Sequence, residues 1–272
     1  MASVAVEQLI QVGAHFGHLT RRWNPKMRPF IFGERNGIHI IDVRKTQALL
    51  EIARSAVVET VAQGKLVLFV GTKPQAKEII RREAERCRMP YVIERWLGGT
   101  LTNFSTIRQS IRRLNQIDKW EADGTLEQFT KKERLQLLRE REKLRILFGG
   151  IEMMNRLPGM LYVVDIVREH IAVKEARILG IPTVGIVDTN ADPEAVDYPI
   201  PANDDSIAAI ELFTRIIADA VLEGRHLAQQ HGKDFEALMQ EQETPSERGS
   251  PRRPLLVEPD EGSAEGETGS RV

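Results

Sequence analysis

Asp165 and Asp188 each close a short apolar run, LYVVD and TVGIVD, and Asp192, Asp204 and Asp205 follow within the DTNADP and NDDS segments. Carboxylates gathered at strand ends are the residues with which a phosphoryl-transfer enzyme holds magnesium. A magnesium-dependent nucleotide-binding or phosphoryl-transfer reaction is therefore the first chemistry to weigh. Against it, no histidine, lysine or serine stands at nucleophile spacing beside these acids. Asp188 and Asp205 also suit a plainer role, capping turns and helix starts through bonds to backbone amides. His15 and His18, within GAHFGH, have an i, i+3 spacing that places two imidazoles on one helical face. Joined by a carboxylate from the Asp188 or Asp205 turns, His18 would hold a divalent metal; a packed, hydrogen-bonded histidine pair is the competing reading.

Two glycine turns are the next candidates, VGTKPQA over Val70 to Ala76 and LGGTLTN over Leu97 to Asn103. Neither has the G-x-x-x-x-G-K-[ST] or G-x-G-x-x-G spacing, and Pro74 removes an amide where a phosphate cradle needs one. Lys73 nonetheless stands at a strand end beside a helix start, a place from which an ammonium reaches an RNA phosphate.

Positive charge mixed with aromatic surface is the stronger pattern. From Pro90 to Arg113 a short strand runs into Arg95, Trp96, a Gly-Gly turn and Asn103, then into a helix carrying Arg108, Arg112 and Arg113. Stacking surface, tight backbone and cations suit an RNA backbone better than a small substrate. A second segment, RRWNPKMRPFIFGERNGIHIIDVRKT, interleaves Trp23, Phe30 and Phe32 with Arg21, Arg22, Lys26, Arg28 and Arg35, followed by Arg44 and Lys45. Its prolines and glycines keep it irregular, and such loops grip phosphates while stacking on unpaired bases. The plainer reading has the aromatic rings closing the core while the guanidinium groups face out.

The elements that must position these residues follow from periodicity. Leu66 to Val70, Leu161 to Asp165 and Thr183 to Asp188 are β-branched-rich runs fit for burial on both faces, with weaker strand candidates at Ile38 to Asp42 and Tyr91 to Glu94. Helical patterns lie between them at Lys45 to Val61, Gln75 to Cys87, Glu169 to Leu179 and Ser206 to Leu222, the last preceded by the capping residues Asn203 to Asp205. This alternation predicts an α/β fold, a doubly wound parallel sheet. Residues 104 to 151 break it. Ile107, Ile111, Leu114, Ile117 and Trp120, then Leu137, Leu144 and Ile151 with Leu147 between, are the seams of an antiparallel coiled-coil helical hairpin, weakened at Glu140 and Arg141. The expected organisation is a sheet domain of residues 1–103 and 152–230, interrupted by a hairpin insertion over 104–151 and followed by a tail over 231–272.

Composition sets the outer limits. The 272 residues carry 38 Lys plus Arg against 39 Asp plus Glu, a balance that hides an uneven distribution. Arg21 to Lys45 holds seven basic and two acidic residues, whereas Glu243 to the end holds seven acidic and four basic ones. A basic surface and an acidic tail, disordered after about residue 241, follow from this. One cysteine, Cys87, excludes an internal disulfide and points to a reducing, cytoplasmic setting. No run reaches the roughly 18 apolar residues of a membrane span.

The ordered motifs GAHFGH, NPKMRPFIFGERNGIHIIDVRKT, FVGTKPQA, RWLGGTLTNF, PGMLYVVD, EARILGIPTVGIVDTNADP and DYPIPANDDS resemble bacterial-type small-subunit ribosomal protein two over about residues 3 to 230. The resemblance implies a flavodoxin-like or Rossmann-like domain with an inserted coiled-coil hairpin. It implies a structural constituent of the small (30S) ribosomal subunit that binds small-subunit rRNA and neighbouring small-subunit proteins, and helps dock the mRNA-binding ribosomal protein S-one. It brings no enzymatic activity, required cofactor, small-molecule substrate or membrane. Carried onto this chain, the RNA-facing residues are Arg21, Arg22, Lys26, Arg28, Arg35, Arg44, Lys45, Lys73, Arg95, Trp96, Asn103, Arg108, Arg112 and Arg113. Ala202 stands where the family usually has glycine, which questions any left-handed backbone there. A purely protein-binding scaffold is the third class, one that would tolerate loss of the Arg21 to Arg28 charges.

Overall fold

A computed structural model describes residues 4–230. The elements run α1 (Val6–Gln11), β1 (Phe16–Leu19), β2 (Ile31–Arg35), β3 (Ile38–Ile41), α2 (Val43–Ala62), β4 (Val67–Val70), α3 (Pro74–Cys87), β5 (Tyr91–Val92), α4 (Phe104–Ala122), α5 (Lys131–Phe148), β6 (Met160–Val164), α6 (His170–Ile178), β7 (Thr183–Val187), β8 (Tyr198–Pro201) and α7 (Ile207–Gln230). The acidic tail lies outside the described residues.

β4, β6 and β7 are buried at every position, so each must be apolar on both faces, which is why they read as continuous runs. They form the centre of a five-stranded parallel sheet ordered β5-β4-β6-β7-β8. Leu68 pairs with Leu161, Tyr162 with Val184 and Ile186 with Ile200. β8 carries Pro199 and Pro201, residues that cannot donate to a ladder and are confined to an edge. The connection β4-α3-β5 runs outward one way and β6-α6-β7 the other. Crossovers between parallel strands are right-handed almost without exception, which sends α3 and α6 to opposite faces, so the strand order is that of a doubly wound sheet.

α2, α3 and α7 form one layer. Gly224 allows the close approach within it: a Cβ there would lie 2.7 Å from the Val58 carbonyl oxygen. α3 begins at Pro74, whose missing N–H costs nothing at the first helical position.

β1, β2 and β3 form a separate antiparallel sheet ordered β1-β3-β2. The basic segment read as an irregular loop is thus largely structured, by short 3₁₀ turns at Thr20–Arg22 and Pro25–Phe30 and by the β2-β3 hairpin. Asn36 and Gly37 form its two-residue turn, with φ of 53° and 73°, the left-handed pair that an Asn-Gly hairpin requires. Ala202 is absent from the left-handed residues, so the alanine meets no backbone demand.

In α4, Ile107, Ile111, Leu114 and Ile117 are buried as their spacing predicts. α5 opens with a Thr130/Glu133 capping box and fully buries only Phe148. Glu140 and Arg141, read as weak points of its seam, instead reach α4: Arg113 Nε donates to Glu140 at 3.0 Å, Arg141 pairs with Glu121, and Arg145 pairs with Asp118 at 2.6 Å.

Candidate nucleic-acid interface and the crevice above the sheet

The order of the strands reverses between β4 and β6, and ligands of doubly wound sheets sit in the crevice at the carboxyl ends there. In this chain that crevice is filled from within. Lys73, just past β4, is buried, and its Nζ stands 2.8 Å from Asp204, 2.6 Å from Asp205 and 3.3 Å from Asp165. Thr72 donates its amide at 2.8 Å and its hydroxyl at 2.5 Å to Glu169, and Arg168 Nε donates to the same hydroxyl. The VGTKPQA turn therefore spends its donors on the protein's own carboxylates, and Lys73 does not reach outward to a phosphate.

Burial opposes the Lys73 ammonium, yet the bonds to Asp204 and Asp205 and the field of Asp165 outweigh it and hold its pKa above the ordinary lysine value. Asp204 is pushed up to about 7 by burial and by the charges of Asp188 and Asp165, against the pull of Lys73. Three aspartates face Lys73 and a fourth, Asp188, lies close to Asp204, and Asp204, buried between them, absorbs the excess charge.

His18 joins this cluster from β1, its Nδ1 at 3.1 Å from Asp188 and its Nε2 at 3.6 Å from Asp205. The Asp188 bond raises its pKa against burial. A nitrogen of His18 and carboxylate oxygens of Asp188 and Asp204 lie within 4.8 Å of one another. The group that converges is thus His18, Asp188 and Asp204, with the more exposed Asp205 bridging His18 and Lys73. His15 stays apart. The expected helical face does not exist, because residues 16–19 are a strand, in which neighbouring side chains alternate between faces. His15 instead stacks on Phe16 with ring centroids 4.0 Å apart, and burial lowers its pKa.

The same strand end anchors the basic segment. The His18 amide donates to Thr189 Oγ1, the Asn24 amide donates to the Thr189 carbonyl, and Lys26 pairs with Asp192 at 2.9 Å and Glu194 at 2.6 Å. Gly17 makes this possible, since a Cβ there would lie 2.5 Å from Thr189 Cγ2.

Around that anchor Arg21, Arg22, Arg28, Arg35 and Arg44 are exposed, and their guanidinium groups have no ion-pair partner among the described residues. Lys45 donates to the Pro29 carbonyl. Trp23 is partly exposed and packs on His39, while Phe32 is 80% exposed. Five exposed arginines and two exposed aromatic rings, Trp23 and Phe32, thus lie in the segment that builds the small sheet and the start of α2.

The second predicted patch divides. Arg95 and Arg112 are exposed without ion-pair partners among the described residues. Arg108 donates to the Asn155 carbonyl, and Arg113 is held by Glu140 and lies over Trp120 at 5.4 Å. Asn103 precedes α4 and accepts from Thr106. Trp96 is 6% exposed and donates its indole N–H to Glu175, so it belongs to the core and offers no face to a base.

Residues outside the motifs also face solvent: Lys132, Arg139 and Lys143, at i, i+7 and i+11 along α5, are exposed on one helical face. Their spacing is visible in the sequence, where the leucine seam of the same helix masks it.

The geometry defines an α/β protein with a crevice filled by its own side chains and a small sheet flanked by exposed arginines. The ribosomal protein S2 family model matches residues 9–224. Small ribosomal subunit protein uS2 of Chlorobaculum parvum is 58% identical over 85% of this chain and 92% of its own length. Its counterpart from Chloroherpeton thalassium is 60% identical over 82% and 89%, and that of Geotalea uraniireducens is 55% identical over 82% and 88%. This chain belongs to the ribosomal protein S2 family, whose members are structural proteins and not enzymes. Among the described residues no helix is long and apolar enough to cross a membrane.

Proposed function

We propose that the chain is a structural constituent of the small ribosomal subunit that binds small-subunit rRNA through the arginines around β1 to β3. The observation that carries this reading is the contrast between two cationic sites. Lys73, at the place where a nucleotide would bind, is consumed internally, whereas Arg21, Arg22, Arg28, Arg35 and Arg44 are exposed and unpaired among the described residues. Free guanidinium groups are the residues that release counterions from phosphate. Cosedimentation with small subunits stripped of this protein, followed against salt concentration, tests the reading; a chain that instead binds ATP with magnesium would overturn it.

Within the same reading, α4 and α5 are an antiparallel coiled-coil arm inserted over residues 104–151 into the sheet domain. The Arg113–Glu140 and Arg145–Asp118 pairs support it, and Arg112 and the Lys132, Arg139 and Lys143 row give the arm cations of its own. Docking of the mRNA-binding ribosomal protein S-one belongs on the mainly apolar groove lined by Val6, Ile10, His15, Phe32 and Ile40, which has Asp42 and Arg44 at its edge and so adjoins the RNA-binding arginines, because a ring as exposed as Phe32 is the kind of anchor a protein interface buries. Phe32→Ala is expected to weaken S-one capture by about tenfold or more while leaving the salt dependence of rRNA binding unchanged. Equal loss of both would assign Phe32 to the RNA.

His18, Asp188 and Asp204 also fit a divalent metal, and an imidazole nitrogen with two carboxylates favours zinc over magnesium. Elemental analysis of the purified chain that finds no stoichiometric metal would remove this part.

A further inference from the structure

Glu175, on α6, is 6% exposed, and its carboxylate collects five donors from the 96–102 loop. Oε1 accepts from Trp96 Nε1 at 3.1 Å and the Gly99 amide at 2.7 Å. Oε2 accepts from the Leu101 amide at 2.9 Å and from the Thr102 amide and hydroxyl at 3.0 Å each. A carboxylate offers about four lone-pair positions, so the group is saturated. Burial alone would raise its pKa, but the converging donors hold it below the ordinary carboxylate value. Amides turned toward one point by a left-handed glycine, here Gly99 at φ 89°, make the kind of concavity that elsewhere holds phosphate. In this chain the anion is supplied from within, from 73 residues or more further along the sequence.

We propose that Glu175 is a positioning residue for rRNA recognition: by filling this cradle it fixes the loop between β5 and α4, and so sets where Arg95 and Arg112 stand. The inference rests on the rRNA-binding reading above. The mechanical path is short. α6 is tied into the hydrophobic core by the buried Ala172, Val173 and Ala176. Trp96, held by Glu175, follows Arg95 directly. At the other end the Asn103 amide donates to the Gly99 carbonyl at 2.9 Å, and the Asn103 carbonyl accepts from the Thr106 amide in the first turn of α4. Without the carboxylate, three amides and an indole N–H point at one another in a buried space, and the loop must open to find water.

The test compares the full wild-type chain with Glu175→Ala and Glu175→Gln by two readouts: hydrogen exchange at the amides of Gly99, Leu101 and Thr102, and affinity for deproteinised small-subunit rRNA at constant ionic strength. Glu175→Ala is expected to exchange at those amides about a hundredfold faster and to bind rRNA about tenfold more weakly. Replacing chloride by formate should restore both, because formate refills the vacated cradle. Formate should not restore Glu175→Gln, whose amide occupies the space while presenting N–H to N–H. A general loss of packing would not respond to formate. If Glu175→Ala does not fold, Glu175→Gln carries the test by the same two readouts. Unchanged protection overturns the cradle, and lost protection with unchanged rRNA affinity overturns the positioning role. A wild-type chain that binds no rRNA overturns the RNA-binding reading itself.

Discussion

Lys73→Met should lower the unfolding free energy by about 3–5 kcal/mol, the usual cost of stripping one partner from a buried ion pair. The methionine keeps the aliphatic stem, so the loss reports the charge and not a cavity. The magnitude follows from where the three partners sit. The Asp204 side chain is 2% exposed and only 2.8 Å from the ammonium, so without Lys73 it must stay charged nearly without solvent or take up a proton, and the loss grows as pH rises above about 7. Asp165 adds to the repulsion from 3.3 Å at 15% exposure, whereas Asp205, at 56%, is relieved by water and contributes little. For a chain of this size the melting temperature should fall by roughly 6–20 °C. Adding Asp204→Asn should recover part of the loss, since the pair is coupled and the two changes are not additive. Guanidinium unfolding of the single and double variants measures both quantities. A cost below about 1 kcal/mol would show that Lys73 is not the counterion of a buried acid cluster.

The second large effect concerns RNA. Replacing Arg21, Arg22 and Arg28 together by alanine should reduce the slope of log affinity against log salt by roughly two to three units, at about 0.7–0.9 unit for each phosphate that is no longer neutralised. Stability should barely change, because none of the three has an ion-pair partner among the described residues and all are exposed. Lys26→Ala, within the same segment, should behave differently: its ammonium is held by Asp192 and Glu194, so the slope should fall by well under one unit. Equal slopes for the wild type and the triple variant would mean that the segment faces away from phosphate.

What could be read from residue order divides along physical lines. The central strands were legible because burial on both faces leaves only apolar residues, as in LVLFV over 66–70 and TVGIVD over 183–188. β8 was not, because Tyr-Pro-Ile-Pro looks like a breaker, and only its place at the sheet edge makes prolines tolerable. The antiparallel sheet was legible in part: Ile38 to Asp42 read as a strand, but the Asn36-Gly37 turn that pairs it with β2 was obscured by the charge of its surroundings.

Side-chain roles were harder to read, because they depend on partners far away in sequence. Lys73 resembles a phosphate ligand until Asp204, 131 residues on, closes over it. Trp96 resembles a stacking platform until Glu175, 79 residues on, takes its N–H. Local spacing cannot bring such pairs together, whereas the exposed arginines of residues 21–44 needed no distant partner and were identifiable from type and neighbourhood alone.

The central claim is that the face bearing Arg21 to Arg44 lies against small-subunit rRNA. The chain's single cysteine, Cys87, is buried and its thiol is pushed up to about 12 by burial, so it resists labelling. An Arg35→Cys variant therefore accepts a tethered iron chelate at one known site, the end of β2 beside the β2-β3 turn. After assembly of the tethered protein into small subunits, hydroxyl radicals from this position should cut the rRNA at a localised set of nucleotides, while an identical tether at Ile178→Cys, on α6, leaves those nucleotides intact. Subunits that carry the Arg35 tether and show no such cleavage would contradict the claim.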